Sequence, residues 1–147
     1  AGVVPALLAH GWSRAVVLGS DLLHYSIDKA LDLLGFGSKA VVRVPLSNHG
    51  AVNVDLLKAE IARLRAENVF VMAMVGICGA TETGTIDPLA EMAELAAEEG
   101  IFFHVDAAWG GGMIFSGTHR WQCAGIEKAD SVTIDGHKQL WLPMGCG

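Results

Sequence analysis

An uninterrupted apolar run near the middle of the chain, Val69 to Val75 (VFVMAMV), constrains the fold more than any other stretch. A strand with one wetted face alternates polar and apolar residues. A continuous apolar run with β-branched residues at intervals is typical of a strand that is buried on both faces. Such strands occupy the centre of parallel sheets that helices cover. The run therefore predicts an α/β fold.

The segments on either side of this run alternate between strand and helix patterns. Strands are predicted at 14–18, 40–44, 101–105 and 131–135, and helices at 3–10, 24–34, 53–67 and 87–100. Asn53 is predicted to cap the third helix, with Leu57, Ile61 and Leu64 facing inward, and Asp87, which precedes Pro88, to cap the fourth. Residues 109–128 predict an irregular connection with one helical turn near Trp121. Repeated β-then-α units predict a mostly parallel sheet with helices on both faces. No linker or repeat interrupts the 147 residues, which predicts a single domain.

Composition and charge exclude several classes of function. The net charge is −6 and the basic residues are scattered. The sequence therefore lacks the basic stripe that is typical of nucleic-acid-binding proteins. The apolar runs fall far below the roughly 20 residues that a membrane span needs, and no signal peptide is recognisable. Three cysteines without CxxC spacing predict reduced thiols in a cytoplasmic protein.

Two chemically distinctive residues follow predicted strands. Asp106 comes directly after the strand at 101–105, and Lys138 follows the strand at 131–135 after Gly136. Ligands of α/β proteins bind at the carboxyl ends of parallel strands, so both side chains are expected at one edge of the sheet. A lysine and a carboxylate are the two groups that pyridoxal phosphate requires of a protein.

Four segments strengthen this interpretation: HYSIDKA (24–30), GATETGTIDPL (79–89), HVDAAWGGG (104–112) and SVTIDGHK (131–138). Together they resemble, in family order, the group II pyridoxal-phosphate-dependent amino-acid decarboxylases. The resemblance implies the aspartate-aminotransferase-like fold (fold type I), with pyridoxal 5'-phosphate as cofactor. Members of that family are several times longer and act as homodimers. We therefore expect residues 1–147 to form the central, cofactor-binding part of a large domain.

The resemblance also implies roles for individual residues. Lys138 is expected to attach the cofactor aldehyde, and Asp106 to pair with its pyridinium nitrogen. Ala108 and His24 are expected to cover the two faces of the ring. His24 could also touch the substrate carboxylate, and Ser26 could extend the same wall.

Further cofactor contacts are expected from the loops. Thr81 could hydrogen-bond the ring or orient Asp106, and Ser131, Thr133 and His137 could contribute to the phosphate site. Asp135 departs from the Asn that many family members carry ahead of His-Lys. A carboxylate there would repel the phosphate dianion unless backbone N–H groups or other charges compensate it.

The resemblance predicts α-decarboxylation of an L-amino acid, with aspartate or glutamate preferred. The upstream phosphate-binding segment and the downstream parts that hold and protonate the substrate have no counterpart here. A polypeptide limited to these 147 residues is therefore expected to be inactive.

The same residues allow four other interpretations. A metal site could combine His104, Asp106, His119, Cys123, His137 and Cys146, but their spacing matches no metal-binding motif. Gly110 to Gly112 could form a nucleotide loop, but the GxGxxG order is missing. Another fold-type-I enzyme, an aminotransferase or a cysteine desulfurase, would share Asp106 and Lys138. A catalytically incomplete fragment is favoured only by length.

Overall fold

The computed structural model describes residues 2–146, which form five strands and four α-helices. The helices are α1 (Val3–Ala9), α2 (Ser26–Leu33), α3 (Val54–Ala66) and α4 (Leu89–Glu99). The strands are β1 (Arg14–Ser20), β2 (Val41–Val44), β3 (Val69–Ile77), β4 (Phe102–Asp106) and β5 (Ser131–Thr133). Ala1 and Gly147, which the predicted domain includes, lie outside the described residues.

The five strands form one sheet in the order β2-β1-β3-β4-β5, and every pairing among them is parallel. The apolar run is β3, the middle strand. Its register pairs Ile77 with Asp106, and Asp106 pairs in turn with Thr133. The carboxyl ends of β3, β4 and β5 therefore lie side by side, and the predicted α/β fold with a parallel sheet is confirmed.

Helices cover both faces of the sheet, as predicted. On one face α3 and α4 pack against the strands, with Leu57, Ile61 and Leu64 of α3 at most 1% exposed. Their spacing of three and four residues places them on one side of the helix. On the opposite face Leu31 of α2 belongs to a second apolar cluster, which includes Val75 of β3. Truncating a buried leucine of this kind to alanine costs about 2–5 kcal/mol.

A β-bulge in β3 changes which side chains face each layer. Val71 and Ala73 pair with consecutive residues of β1, which leaves Met72 as the extra residue of the bulge. Beyond it, Met74 belongs to the cluster under α3 and α4, whereas Ile77 belongs to the cluster under α2. The bulge thus turns Ile77 towards the face on which the candidate site lies.

The structure corrects the predicted role of Asp87. The Asp87-Pro88 pair suggested that Asp87 caps α4, but Pro88 occupies the N-cap position and makes no side-chain cap. The Asp87 carboxylate instead accepts N–H groups from two other segments, Val52 (2.8 Å) and Ile77 (2.9 Å). Asp87 is 5% exposed, and these bonds replace the water it loses. By contrast, Asn53 caps α3 as predicted, because its Oδ1 accepts the Leu56 N–H at 3.1 Å.

Two predicted segments also differ in extent. The last strand ends at Thr133 rather than at 135, because the Asp135 N–H turns to the Ala108 carbonyl at 3.3 Å. The connection at 109–128 contains more regular structure than the single turn expected near Trp121. It forms three 3₁₀ helices: Gly110–Phe115, Arg120–Cys123 and Ile126–Lys128.

Within residues 2–146, no helix combines the length and apolar character required to cross a bilayer. The three cysteines are unpaired. Cys78 and Cys123 are buried with their Sγ atoms 3.6 Å apart. Burial is the main cause that raises the pKa of Cys78 to about 12, and the neighbouring Cys123 adds to it.

Candidate active site

A cleft of about 260 Å³ opens at the carboxyl ends of β1, β3, β4 and β5. The strand order reverses direction between β1 and β3, and open α/β sheets bind ligands in the crevice at such a point. Eight of the ten predicted site residues line this cleft: His24, Ser26, Thr81, Asp106, Ala108, Thr133, Asp135 and Lys138. Loops that are distant in sequence therefore meet where the sequence analysis expected a site.

Lys138 lies in a tight turn after β5. Its N–H donates to the Asp135 carbonyl at 3.3 Å, and its own carbonyl accepts the Trp141 N–H at 3.2 Å. The side chain is 35% exposed, and Nζ lies 2.7 Å from Asp135 Oδ2. Gly136, between β5 and the lysine, is buried against Leu142 and Cys146, which leaves no room for a side chain. The turn therefore presents one amine, with a carboxylate beside it, to the cleft.

Asp106 is the last residue of β4. Its backbone carbonyl accepts the Cys78 N–H at 2.8 Å, which fastens it to the end of β3. Its Oδ1 accepts the Ala108 N–H at 3.1 Å, the only hydrogen bond that its carboxylate receives from the described residues. The rest of the carboxylate is available to a cationic or N–H group of a ligand in the cleft.

His24 contributes an imidazole from the loop between β1 and α2. Its Nδ1 lies 2.8 Å from Ser26 Oγ and accepts the Ser26 N–H at 3.3 Å. Since a backbone N–H can only donate, Nδ1 is the acceptor and Nε2 carries the proton of the neutral ring. The ring of Tyr25 lies beside it, tilted by 39°, with 4.2 Å between ring centroids. His24 can therefore offer a flat face and one N–H donor.

Two glycines allow the loops after β3 and β4 to approach each other closely. Gly79 has φ of +94°, and a Cβ on it would lie 2.8 Å from the Gly110 nitrogen. A Cβ on Gly110 would lie 2.3 Å from the Cys78 carbonyl oxygen. The Gly110 N–H donates to that carbonyl at 2.9 Å. This contact holds the loop that carries Thr81, itself exposed, against the loop that follows Asp106.

His104 is a cleft residue to which the sequence analysis gave no role in cofactor binding. Its Nδ1 lies 2.8 Å from Ser131 Oγ, and its Nε2 lies 3.5 Å from Thr133 Oγ1. Burial lowers its pKa, although the nearby Asp106 opposes the shift. The ring is therefore neutral at pH 7. His104 lies two residues before Asp106 on the same strand. Side chains two residues apart point to the same face of a sheet, so the sequence alone predicts that His104 and Asp106 share a face.

Ser131 and His137 lie outside the lining of the cleft. Ser131 is engaged by His104. His137 donates from Nδ1 to the Cys146 carbonyl at 2.8 Å, and its Nε2 is 3.9 Å from Asp135 Oδ2. Thr133, by contrast, does line the cleft. The alternation of side chains along β5 places Ser131 and Thr133 on one face, but it does not show that the Ser131 hydroxyl is hydrogen-bonded to His104 on the neighbouring strand.

The metal and nucleotide interpretations gain no support from these positions. Across residues 2–146, the His, Cys, Asp and Glu side chains form no group of three or more that could hold a metal ion. The three consecutive glycines serve packing: added Cβ atoms would lie within 3 Å of Cys78 at Gly110, of Ile134 at Gly111 and of Gln139 at Gly112. Glycine is required at these three positions because a side chain would clash with the neighbouring loops.

A parallel α/β sheet with a lysine, a carboxylate and an imidazole in its switch-point cleft is the arrangement of an enzyme that uses an aldehyde cofactor. Residues 9–147 match the family described as "Pyridoxal-dependent decarboxylase conserved domain". The chain belongs to this family, whose cofactor is pyridoxal phosphate.

Individual relatives agree. The chain is 47% identical to the aspartate 1-decarboxylase of Aliivibrio fischeri, over 99% of this chain and 27% of the relative. It is 45% identical to an L-2,4-diaminobutyrate decarboxylase of Rhizobium meliloti, over 90% of this chain and 26% of the relative. The crystal structure of mouse CSAD in apo form superposes with a TM-score of 0.89 at 34% identity, over 93% and 29% of the two chains. The chain thus spans about a quarter of the length of these curated relatives.

The residues of the cleft fit the ring of pyridoxal phosphate. An amine suits its aldehyde, a carboxylate with a free oxygen suits its protonated ring nitrogen, and an imidazole offers a flat surface. The small side chains of Ala80 and Ala108 leave the space between these groups open. The combination of amine, carboxylate and imidazole, rather than the volume alone, makes the cleft suitable for this cofactor.

Proposed function

We propose that the protein of which this chain forms part catalyses pyridoxal-phosphate-dependent α-decarboxylation of an L-amino acid. The observation that carries the proposal is the convergence of Lys138 and Asp106 on one cleft of a chain that belongs to this family. Asp106 ends β4 and Lys138 lies in the turn after β5, and the parallel register brings the ends of these two strands together.

Each side chain has a task that its surroundings permit. Lys138 would hold the cofactor aldehyde through Nζ, which requires the amine in its neutral form. Asp106 would hold the ring nitrogen through the carboxylate oxygen that Ala108 leaves free and keep that nitrogen protonated. When bound, the cofactor accepts the electron pair that remains when the α-carboxylate leaves as CO2.

His24 and Ala108 would enclose the flat ring from two loops. The Nε2–H of His24 points to a second task, because an N–H donor beside the cofactor could bind the substrate carboxylate. Thr81 and Asp135 complete the lining from the β3 and β5 loops. Ser131 and His137 are left out of this set, since their polar atoms are engaged elsewhere.

We propose an acidic amino acid, aspartate before glutamate, as the substrate. The relative at 47% identity is an aspartate 1-decarboxylase, which supports this choice. The relative at 45% identity is a decarboxylase of the basic amino acid L-2,4-diaminobutyrate. The substrate assay must therefore include both charge types.

The test is a product assay on the full-length natural protein, reconstituted with pyridoxal phosphate. Aspartate, glutamate, L-2,4-diaminobutyrate and cysteine are supplied separately, and CO2, amines, keto acids and sulfide are quantified. We expect β-alanine from aspartate in stoichiometric yield with CO2, and none from a Lys138→Ala variant. Formation of keto acid or of sulfide from cysteine would reject decarboxylation in favour of an aminotransferase or a desulfurase.

We also propose that the full-length protein is a cytoplasmic homodimer. Unpaired Cys78 and Cys123, whose sulfurs lie 3.6 Å apart without a bond, support a reducing compartment. Exposed apolar side chains such as Phe102 (48%) and Trp109 (49%) leave surface for further chain or a second subunit. Sedimentation of the full-length protein at micromolar concentration distinguishes a dimer from a monomer.

A further inference from the structure

Arg43 and Asp28 form a two-point ion pair beside the cleft. Arg43 extends from the edge strand β2, and Asp28 lies in the first turn of α2. The guanidinium donates from Nη1 to Asp28 Oδ1 at 3.0 Å and from Nη2 to Oδ2 at 2.7 Å. Two parallel N–H···O bonds fix both the distance and the orientation of the partners.

The same guanidinium reaches the other end of the loop that carries His24. Arg43 Nη2 lies 3.4 Å from the carbonyl oxygen of Leu23, the residue directly before His24. Asp28 follows His24 by four residues. Arg43 therefore hydrogen-bonds to residues on both sides of His24 in the sequence.

The loop has little else to hold it on its outer side. Tyr25 is 60% exposed, and Ser26 is exposed as well. Towards the sheet, Leu23 is buried and the Asp21 N–H donates to the Val44 carbonyl at 3.0 Å. These contacts fix the beginning of the loop, whereas Arg43 and Asp28 fix the segment after it.

We infer that Arg43 and Asp28 are a positioning pair that holds His24 against the cleft. This inference rests on the proposed function for its catalytic consequence, because it assumes that His24 covers the cofactor ring. Neither Arg43 nor Asp28 lines the cleft, so neither touches the cofactor or the substrate. They act through the backbone of residues 23–28.

The electrostatics of the pair agree with this role. The hydrogen bonds from Arg43 are the largest cause that lowers the pKa of Asp28 below its usual value. The side chains are 31% and 28% exposed, so solvent screens the pair and its share of global stability is small. Breaking the pair is therefore expected to loosen the loop at residues 23–28 and to change the free energy of global unfolding only slightly.

The other ion pairs provide a matched control. Arg63 also makes two hydrogen bonds to one carboxylate, that of Glu60, at 2.9 and 2.6 Å. Both residues belong to α3, so their pairing cannot position a second segment. Glu60→Gln thus removes a carboxylate that accepts two hydrogen bonds from an arginine, as Asp28→Asn does, but it leaves the His24 loop unchanged.

The first measurement is hydrogen exchange on the full-length apoprotein, which needs no cofactor. The informative amides are those of Ser26 and Ile27, which are bonded to His24 Nδ1 and to the His24 carbonyl. We expect Asp28→Asn and Arg43→Met to accelerate their exchange about three- to fivefold, with Arg43→Lys in between. The double variant should exchange no faster than Arg43→Met alone, and Glu60→Gln should match the wild type.

The second measurement is the affinity of the apoprotein for pyridoxal phosphate, determined by quenching of its fluorescence. We expect about three- to fivefold weaker binding in Asp28→Asn and none of this loss in Glu60→Gln. In a His24→Ala background, Asp28→Asn should have no further effect on affinity. Asp28→Asn is close in shape to the wild type and carries the test if Arg43→Met does not fold.

The outcomes separate this inference from the proposed function. Wild-type exchange of Ser26 and Ile27 in both Asp28→Asn and Arg43→Lys overturns the positioning pair, whatever the enzyme does. Accelerated exchange with unaltered cofactor affinity overturns its link to the cofactor. If the loop loosens but His24→Ala also binds cofactor normally, the assignment of His24 in the proposed function has failed, and the pair is structural only.

Discussion

The carboxylate of Asp135 lies 2.7 Å from Nζ of Lys138, three residues further along the same turn. A charged pair at this distance fixes the position of the amine beside the carboxylate. Asp135 therefore has a task in the cofactor-free protein that the sequence did not suggest. It holds Lys138 in place before the cofactor arrives.

The first prediction concerns Asp135→Asn. The amide removes the counter-charge, so Lys138 of the apoprotein should react about two- to fivefold faster with a small amine-acylating reagent. Peptide mass spectrometry measures the rate at this one lysine. The reaction of Lys128, which pairs with Glu94 at 3.4 Å on the surface, serves as the internal reference. An unchanged ratio of the two rates would show that Asp135 does not control the amine.

The second prediction concerns the covalent link to the cofactor. Borohydride treatment of the full-length holoenzyme should leave the reduced cofactor on Lys138, and Lys138→Ala should abolish this mass increase. Lys128→Ala, at an exposed position, should retain it. A cofactor adduct on another lysine in the wild-type protein would refute the assignment of Lys138.

The third prediction concerns Asp106→Asn. The variant should still bind pyridoxal phosphate, because Lys138 is unaltered, but turnover should fall by about a hundredfold or more. The reason is that a neutral amide cannot hold the proton on the ring nitrogen. Steady-state kinetics and the absorbance of the bound cofactor provide the two readouts. Turnover within a few-fold of the wild type would contradict the proposed pairing.

The fourth prediction follows from the environment of His104. Its pKa is lowered from 6.5, chiefly by burial, so the unfolded chain binds a proton that the folded chain rejects. This contribution to stability is complete above about pH 6.5 and is lost as the pH falls through the window below it. His104→Gln should flatten the dependence of the free energy of unfolding between pH 5 and 7.5. Urea denaturation of both proteins across that range supplies the comparison.

The fifth prediction concerns the buried carboxylate of Asp87. Asp87→Ala leaves the N–H groups of Val52 and Ile77 without their acceptor, at a cost of about 2–5 kcal/mol in the free energy of unfolding. The exposed Asp32→Ala, at the end of α2, should change it by no more than about 0.5 kcal/mol. Equal stabilities of the two variants would mean that water replaces the lost acceptor.

Features governed by local pattern could be predicted from the sequence. The apolar run of β3 and the helical spacing of Leu57, Ile61 and Leu64 each depend on neighbours within a few residues, and both predictions are confirmed. The meeting of Asp106 and Lys138 followed from a general rule about strand ends.

Features that depend on distant partners could not be predicted. Asp87 precedes a proline as a capping residue would, but Val52, far away in sequence, supplies one of its donors. The neighbour that engages the Ser131 hydroxyl is His104 on the adjacent strand, which the sequence of β5 does not contain. The Arg43–Asp28 pair likewise depends on how an edge strand meets a helix.

The parallel order of the sheet also affects how the chain can acquire its structure. β1 has no hairpin partner and pairs with β3 at Arg14–Val69, across the whole intervening α2-β2-α3 segment. During synthesis on a ribosome, the completed β1 and the His24 loop must therefore wait for β3 to emerge before the central pair can form. Until then, β1 can pair only with β2, and its other edge lacks a partner strand. Contacts between residues so distant in sequence are expected to make folding slow compared with that of a helical bundle of similar size.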